Sequence, residues 1–418
     1  MLSRFVRCLV FVLGVFHLPL TAAAPLSLAE AQIIAAGDAP QVLAQSSSLR
    51  AAQQSSLSAG ELPDPKLIVG IDNLPTESSD RFSFTRDFMT MRKIGFMQEF
   101  TRNDKLKLKS ERANAEVRRQ EAQLTVVQLN LKRDVALAWI DLHFARRQQE
   151  LLSEMAQTTS LQTGAAQAAL AGGKALAAES YTARLASEQI AERSIDAERL
   201  IARARANLAR WIGAAAQREL DAPPAFDRLA HSHAVLLDGI DSHPHLAMLS
   251  PSEAVAQSEA RLAQVAAQPD WSVEVAYAQR GPAYTNMLSL AVKIDLPILQ
   301  SRRQNPEIAS RLALVEQVRA QNEDTRRAHA AEVKSMLADW VAAKSRLQRF
   351  ETSLQPLAHE RAEVTLAAYR GGKGELIPLI EARKGEIETR MNRLQAEADL
   401  ARAWAGLNFL LPDKKESP

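Results

Sequence analysis

Residues 271–296 read Trp271-Ser-Val-Glu-Val-Ala-Tyr-Ala-Gln-Arg-Gly-Pro-Ala-Tyr-Thr-Asn-Met-Leu-Ser-Leu-Ala-Val-Lys-Ile-Asp-Leu296. At first Trp271, Val273, Val275 and Tyr277 alternate with Ser272, Glu274, Ala276 and Ala278. Later Leu288, Leu290, Val292, Ile294 and Leu296 alternate with Ser289, Ala291, Lys293 and Asp295. Successive side chains of a strand point to opposite faces, so this period of two predicts strands over 271–280 and 286–296. Each is apolar on one face and polar or small on the other. Gly281-Pro-Ala-Tyr-Thr285 between them predicts a short hairpin connection. A tilted transmembrane strand needs about 9–11 residues. The alternation also fits a barrel that is apolar outside and polar within.

Two earlier stretches, 66–72 and 88–100, are the counterparts, joined by a long polar connection over 73–87. In 88–100, Ile94, Phe96 and Phe100 share a face with Arg92 and Gln98, so the alternation there is less clean. Strands that cross lipid must close, because an open edge leaves backbone groups unpaired. Four cannot close, since the smallest such barrels have about eight. Two chains would supply about eight strands and a filled interior; three would supply about twelve and room for a channel. Periodicity does not choose the number, and two soluble hairpins packed on helices would alternate in the same way.

Long helices surround these strands. No proline lies between Asn103 and Thr163, and Val117, Leu124, Leu131, Ala138, Ala145 and Leu152 recur at a spacing of seven. This is a coiled-coil seam. A second seam includes Val333, Trp340, Leu347 and Leu354, with Met336, Ala343, Phe350 and Leu357 three residues on. The expected helices are 103–163, 175–211, 306–366 and 375–407, with a kink or loosening at Pro356. An ordinary bundle or dimeric coiled coil would show the same period.

The 418 residues suggest two to three domains at about 150 residues each. Instead the chain repeats. Asp134-Val-Ala-Leu-Ala-Trp139 parallels Met336-Leu-Ala-Asp-Trp340, and Ala171-Gly-Gly-Lys174 parallels Arg370-Gly-Gly-Lys373. Leu62-Pro-Asp64 parallels Gln268-Pro-Asp270, and Leu208-Ala-Arg-Trp211 parallels Leu407-Asn-Phe-Leu410. All four lie in one order at a near-constant offset, which indicates a duplication. The halves are 25–212 and 244–411, with a linker at 213–243 and a tail at 412–418.

Residues 1–24 read as a secretory signal: Arg4 and Arg7, an apolar run from Leu9 to Leu20, then Thr21-Ala-Ala-Ala24. Pro25 favours cleavage after Ala22 or Ala23. No later segment reaches 18 apolar residues, so the mature chain is expected to lack a spanning helix. Lys+Arg 51 against Asp+Glu 49 gives a net charge of +2, which excludes a dominant nucleic-acid field. One cysteine, Cys8, excludes a disulfide framework or thiolate zinc site. No Ser-His-Asp set, metal-hydrolase helix or nucleotide loop is present, so neither an enzyme nor a cofactor is expected.

An export signal, two hairpins, a two-fold repeat and four long helices broken at Gly-rich turns resemble the TolC family of outer-membrane efflux channels. The resemblance covers about residues 26–411. Met89-Thr-Met-Arg-Lys-Ile-Gly-Phe-Met-Gln-Glu-Phe100 is similar to the first-half strand of the heavy-metal (cobalt-zinc-cadmium type) cation branch. Leu62-Pro-Asp-Pro65 and Asp295-Leu-Pro297 resemble that branch's strand boundaries. The fold class implied is an α/β membrane protein with long coiled-coil hairpins and four transmembrane strands per chain. The resemblance implies a homotrimer, closing as a 12-strand barrel and a 12-helix tunnel. It also implies a periplasmic adaptor and a proton-driven inner-membrane RND pump as partners. The implied cargo is heavy-metal cations. Drugs or a type I secreted polypeptide are the alternative cargo, and a soluble periplasmic coiled-coil adaptor is the more distant alternative. Many relatives carry a lipidated N-terminal cysteine, which this chain lacks.

Gly172, Gly173 and Lys174, and likewise Gly371, Gly372 and Lys373, stand where each long helix turns back. A glycine there lets a helix end in the left-handed conformation. The resemblance makes these turns the periplasmic tips where an adaptor docks. A phosphate-loop reading fails, because no Ser or Thr follows either lysine. Glu179 sits where the family often has a polar or acidic residue near the mouth. Pro378, its counterpart, fits a first-turn position. His231, His233, His243 and His245 crowd the linker, but no Cys or spaced carboxylates complete a metal shell. His143, His329 and His359 stand singly on long helices.

Overall fold

A computed structural model describes residues 24–173 and 176–412. The expected signal, apart from Ala24, lies outside the described residues, as do Lys174 and most of the tail. Helices α1 (Leu28–Gly37) and α2 (Pro40–Ser58) precede strands β1 (Lys66–Asp72) and β2 (Met91–Phe100). Helix α3 (Asn103–Ala171) then runs for 69 residues, about 100 Å at ~1.5 Å per residue. Helix α4 (Ala177–Ile212) returns along it. The connection beyond contains the short helices α5 (His233–Asp238) and α6 (Pro244–Ala247). Next come α7 (Leu249–Ala266), β3 (Trp271–Gln279), β4 (Met287–Ile294) and α8 (Gln304–Arg349). One π-helical turn, Phe350–Leu354, leads into α9 (Gln355–Arg370), and α10 (Leu376–Asn408) returns.

The strands form a single antiparallel sheet in the order β1-β2-β3-β4. The two halves meet in the β2–β3 ladder, where Phe96 faces Val275 and Gly95 faces Ala276. A side chain at Gly95 would place its Cβ 2.7 Å from that of Ala276, so glycine is what permits this approach. The register collects Leu67, Val69, Ile71, Ile94, Phe96, Val275, Tyr277, Leu288, Leu290, Val292 and Ile294 on one face. All of them are exposed. The opposite face holds Lys66, Lys93, Glu99, Glu274, Lys293 and small residues, together with Ile68 and the methionines at 91, 97 and 287.

At the far end, Ala166 and Ala183 pack with Leu376, Leu379 and Ile380. The two glycine turns therefore lie side by side. The main core sits between these ends. There α1, α3, the end of α4, the linker, α8 and α10 converge on Trp139, Phe144, Leu208, Phe226, Trp340 and Trp404. Buried alanines at 136, 138, 204, 398, 401 and 405 let these helices approach closely, and alanine is the best helix former. No helix among the described residues is long and apolar enough to cross a membrane.

Several expected boundaries move. The helix expected to end at 163 passes through Gly164 to Ala171. One helical glycine costs only about 1 kcal/mol, and Ala166 beyond it is fully buried. The helix expected over 306–366 extends to Arg370 and carries the π turn. Pro356 has no N–H and its ring crowds the carbonyl four residues back; that residue, Thr352, lies inside the turn. The strand expected from 88 begins at Met91. The Asp87 carboxylate accepts from Met89 N at 2.8 Å and Thr90 N at 3.1 Å, which makes 87–90 a turn. Sequence periodicity did not anticipate α1, α2, α5, α6 and α7.

Candidate functional site: the sheet faces, the glycine turns and the linker

On the polar face of the sheet, Glu274 is buried yet charged. Its carboxylate accepts from Lys93 Nζ at 2.8 Å and Lys293 Nζ at 2.7 Å, so one residue of β3 ties β2 to β4. A buried carboxylate needs such partners, since an unpaired one is costly. Lys93 reaches Glu274 across Gly95 and Ala276, whose small size leaves the path open. Lys66 and Glu99 form a looser pair at 3.7 Å. Alternation assigns Glu274 and Lys293 to the polar sides of their own strands; the pairing across strands, with Lys93 included, depends on a register the sequence does not reveal.

The two glycine turns share one geometry. Gly173 and Gly372 both have φ of 68°. Gly173 N donates to Leu170 O and Gly372 N to Tyr369 O, each at 3.0 Å. In the second turn Lys373 N also donates to Ala368 O, which completes a Schellman cap. Lys174, the residue after the first turn, lies outside the described residues. Pro378 falls in the first turn of α10. Glu179 falls in the first turn of α4, where its carboxylate accepts from Leu176 N at 3.3 Å. That carboxylate caps its own helix.

Above the turns, ion pairs link the hairpins. Arg390 of α10 meets Glu154 of α3 at 2.7 Å, and its guanidinium holds that carboxyl below the usual range. Arg383 pairs with Glu363 at 2.6 Å and Glu386 at 2.7 Å, and Glu386 also meets His359 at 2.7 Å. His359 is thus partnered rather than single.

The linker is held by tryptophans. Trp340 Nε1 donates to Phe226 O at 3.1 Å and Trp404 Nε1 to Arg228 O at 2.8 Å. Farther along, His243 Nδ1 lies 3.0 Å from His329 Nε2 of α8. The His245 ring also stacks on His329, with centroids 5.5 Å apart. His329 is therefore the centre of a buried imidazole group; the sequence hid this because its partner is 86 positions away. Burial, then the neighbouring imidazoles, push His243 down to about 4. His143 stacks on Trp139 at 5.3 Å, and burial with Arg147 and Arg146 pushes it down to about 4. Among the described residues no three His, Cys, Asp or Glu are placed to hold a metal ion.

No family model matches the sequence, and no curated protein matches it significantly. Solved structures do match in fold. The outer membrane protein VceC from Vibrio cholerae superposes with a TM-score of 0.75 at 18% identity, over 92% of this chain and 94% of that one. A membrane protein from Pseudomonas aeruginosa gives 0.81 at 16% identity, over 94% and 91%. The channel-forming protein CusC gives 0.77 at 14% identity, over 92% of each chain. The fold is the TolC-like one of long helices and a small antiparallel sheet.

Proposed function

We propose that this chain is one of three identical subunits of an outer-membrane duct in a tripartite efflux system. The observation that carries the reading is the sheet. One face is mostly apolar and exposed, Leu290 to 72%, with Arg92 and Gln98 among its polar members, and among the described residues the outer edges of β1 and β4 are unpaired. Exposed apolar faces of this size mark contact with lipid or protein, and an open edge is incompatible with lipid. Closing β1 of one copy onto β4 of the next satisfies both demands. The polar face then lines a water-filled barrel, with Glu274, Lys93 and Lys293 toward the lumen, and the helices continue it as a tunnel into the periplasm.

The duct is passive and performs no chemistry. Gly172, Gly173, Lys174, Gly371, Gly372 and Lys373 form the tip that a periplasmic adaptor docks on, beside an inner-membrane RND pump. Glu179 borders the mouth from the helix start it caps. Opening is a shift of the hairpins at these tips, resisted by the Glu154–Arg390 link. An export signal over 1–24 delivers the chain to the outer membrane. The cargo is heavy-metal cations, a reading supported by the resemblance of residues 89–100 to that branch of the family.

Deleting the gene and growing the strain on a panel of metals and drugs tests the cargo. Loss of tolerance to divalent or monovalent metals, restored by the intact gene, is the expected result. Unchanged metal tolerance with new drug sensitivity would assign the duct to drugs instead.

A further inference from the structure

The linker meets the helical body at two joints of different chemistry. The first, at 226–230, uses no imidazole. Besides the two tryptophan bonds, Ala230 N donates to the Asn408 side chain at 3.0 Å and Lys344 Nζ to Asp227 O at 2.8 Å. The second, at 231–247, centres on imidazoles, beside the Arg326–Asp241 ion pair and buried Leu236 and Leu246. His243 is fully buried, and its Nε2 has no partner. His231 is 8% exposed, and its Nε2 is also unpartnered. His329 contacts both the His243 ring, edge to face at 5.2 Å, and the His245 ring, stacked at 5.5 Å.

We propose that this histidine joint is an acid-labile clasp: below about pH 6 the segment 231–247 releases from α8, while the tryptophan joint at 226–230 holds. The geometry gives the reason. Neutral His243 and His329 share one hydrogen, one ring donating and the other accepting. A proton on each ring would set two N–H groups against each other at 3.0 Å. One acid, Glu332, favours the charged forms of His329 and His245, but burial outweighs it at both. On α8, Glu332 approaches His329 only to 3.8 Å, and Arg326 is bound to Asp241 of the linker at 2.6 Å. On α3, Arg133 acts on His245 as a like charge. The neighbouring imidazoles of His329, His245 and His231 act on His243 as like charges.

The sign follows from linkage. His243, His245 and His329 all have lowered pKa values, burial being the first cause in each. Above about pH 6.5 both the docked and released forms are neutral and pH has no effect. Below it the released form binds protons that the docked form refuses, so acid favours release. With His243 held near 4, release at pH 5 is favoured about 30-fold over pH 7.5 by that residue alone.

Hydrogen exchange on the intact purified protein tests the clasp, with rates corrected for intrinsic pH dependence. Amides within 240–248 should open about 30-fold more at pH 5 than at pH 7.5, while those within 226–230 stay unchanged. His243→Asn and His329→Gln, each folded at pH 7.5 by circular dichroism, should flatten the acid response. An acid response in both variants as large as in the unaltered protein, or protection independent of pH in the unaltered protein, would overturn the proposal. Zinc ions at pH 7.5 supply the rival outcome. If micromolar zinc slows exchange in 240–248 and the variants abolish that slowing, the cluster is a metal site and not a clasp. The test needs only the purified chain, so its failure is separable from failure of the duct reading.

Discussion

The two halves of the chain use the same joints with different materials. In each, the tryptophan of the long helix donates to a carbonyl of the arriving segment: Trp139 to Leu26 O and Trp340 to Phe226 O, both at 3.1 Å. In each, a left-handed glycine ends the descending helix. They differ in a contact made farther along the arriving segment. In the first half, Gln45 Nε2 donates to Gln120 Oε1 of α3 at 2.7 Å, a pair that does not titrate. In the second, His243 meets His329. The descending helix also differs, being unbroken in the first half and interrupted by a π turn before Pro356 in the second. The two halves share their anchors and differ in the contacts between them, and the histidine contact and the π turn both fall in the second half.

The anchors should give the largest effects. Trp139→Ala and Trp340→Ala should each cost about 3–5 kcal/mol, since each empties a large buried volume. Thermal unfolding of the two variants should agree within about 1 kcal/mol if the anchors are equivalent. A much smaller loss for Trp340→Ala would break the equivalence. Gly173→Ala and Gly372→Ala come next, at about 1–2 kcal/mol each for a left-handed residue with a Cβ. The cost at Gly372 should match that at Gly173, because both share φ of 68°.

Pro356→Ala sharpens the difference between the halves. It restores one backbone donor, a gain of about 1 kcal/mol, and lets the 350–354 turn relax to α-helix. Amide exchange there should slow about fivefold, with α3 unaffected. The smallest effect belongs to Arg390→Gln, because the Glu154 carboxylate is largely exposed. Its stability cost should stay below about 1 kcal/mol, yet single-channel conductance should rise if the pair resists opening.

How much of this was legible depended on whether a residue acts along its own element or across to another. Alternation over 271–296 and the seven-residue seams announced the strands and long helices. Pro356 announced the break in the second descending helix. The connecting helices were silent for a physical reason. Helix α2, Pro-Gln-Val-Leu-Ala-Gln-Ser-Ser-Ser-Leu, carries no apolar stripe and is held by its contact with α3. Gly164 suggested an end because local propensity cannot see the packing of Ala166 with the other hairpin. Site residues divided in the same way. The glycines of the turns could be read locally, whereas Glu274 with its two lysines and His243 with His329 required long-range register.

The central claim, that open sheets close on one another in threes, is open to one direct measurement. Single cysteines placed along 67–71 of β1 and 288–292 of β4, combined in pairs in one chain, should crosslink between copies in outer-membrane preparations. In one register the covalent ladder on denaturing gels should run through dimer to trimer and stop there. No crosslink in any register, or a ladder that stops at dimer or continues past trimer, would contradict it.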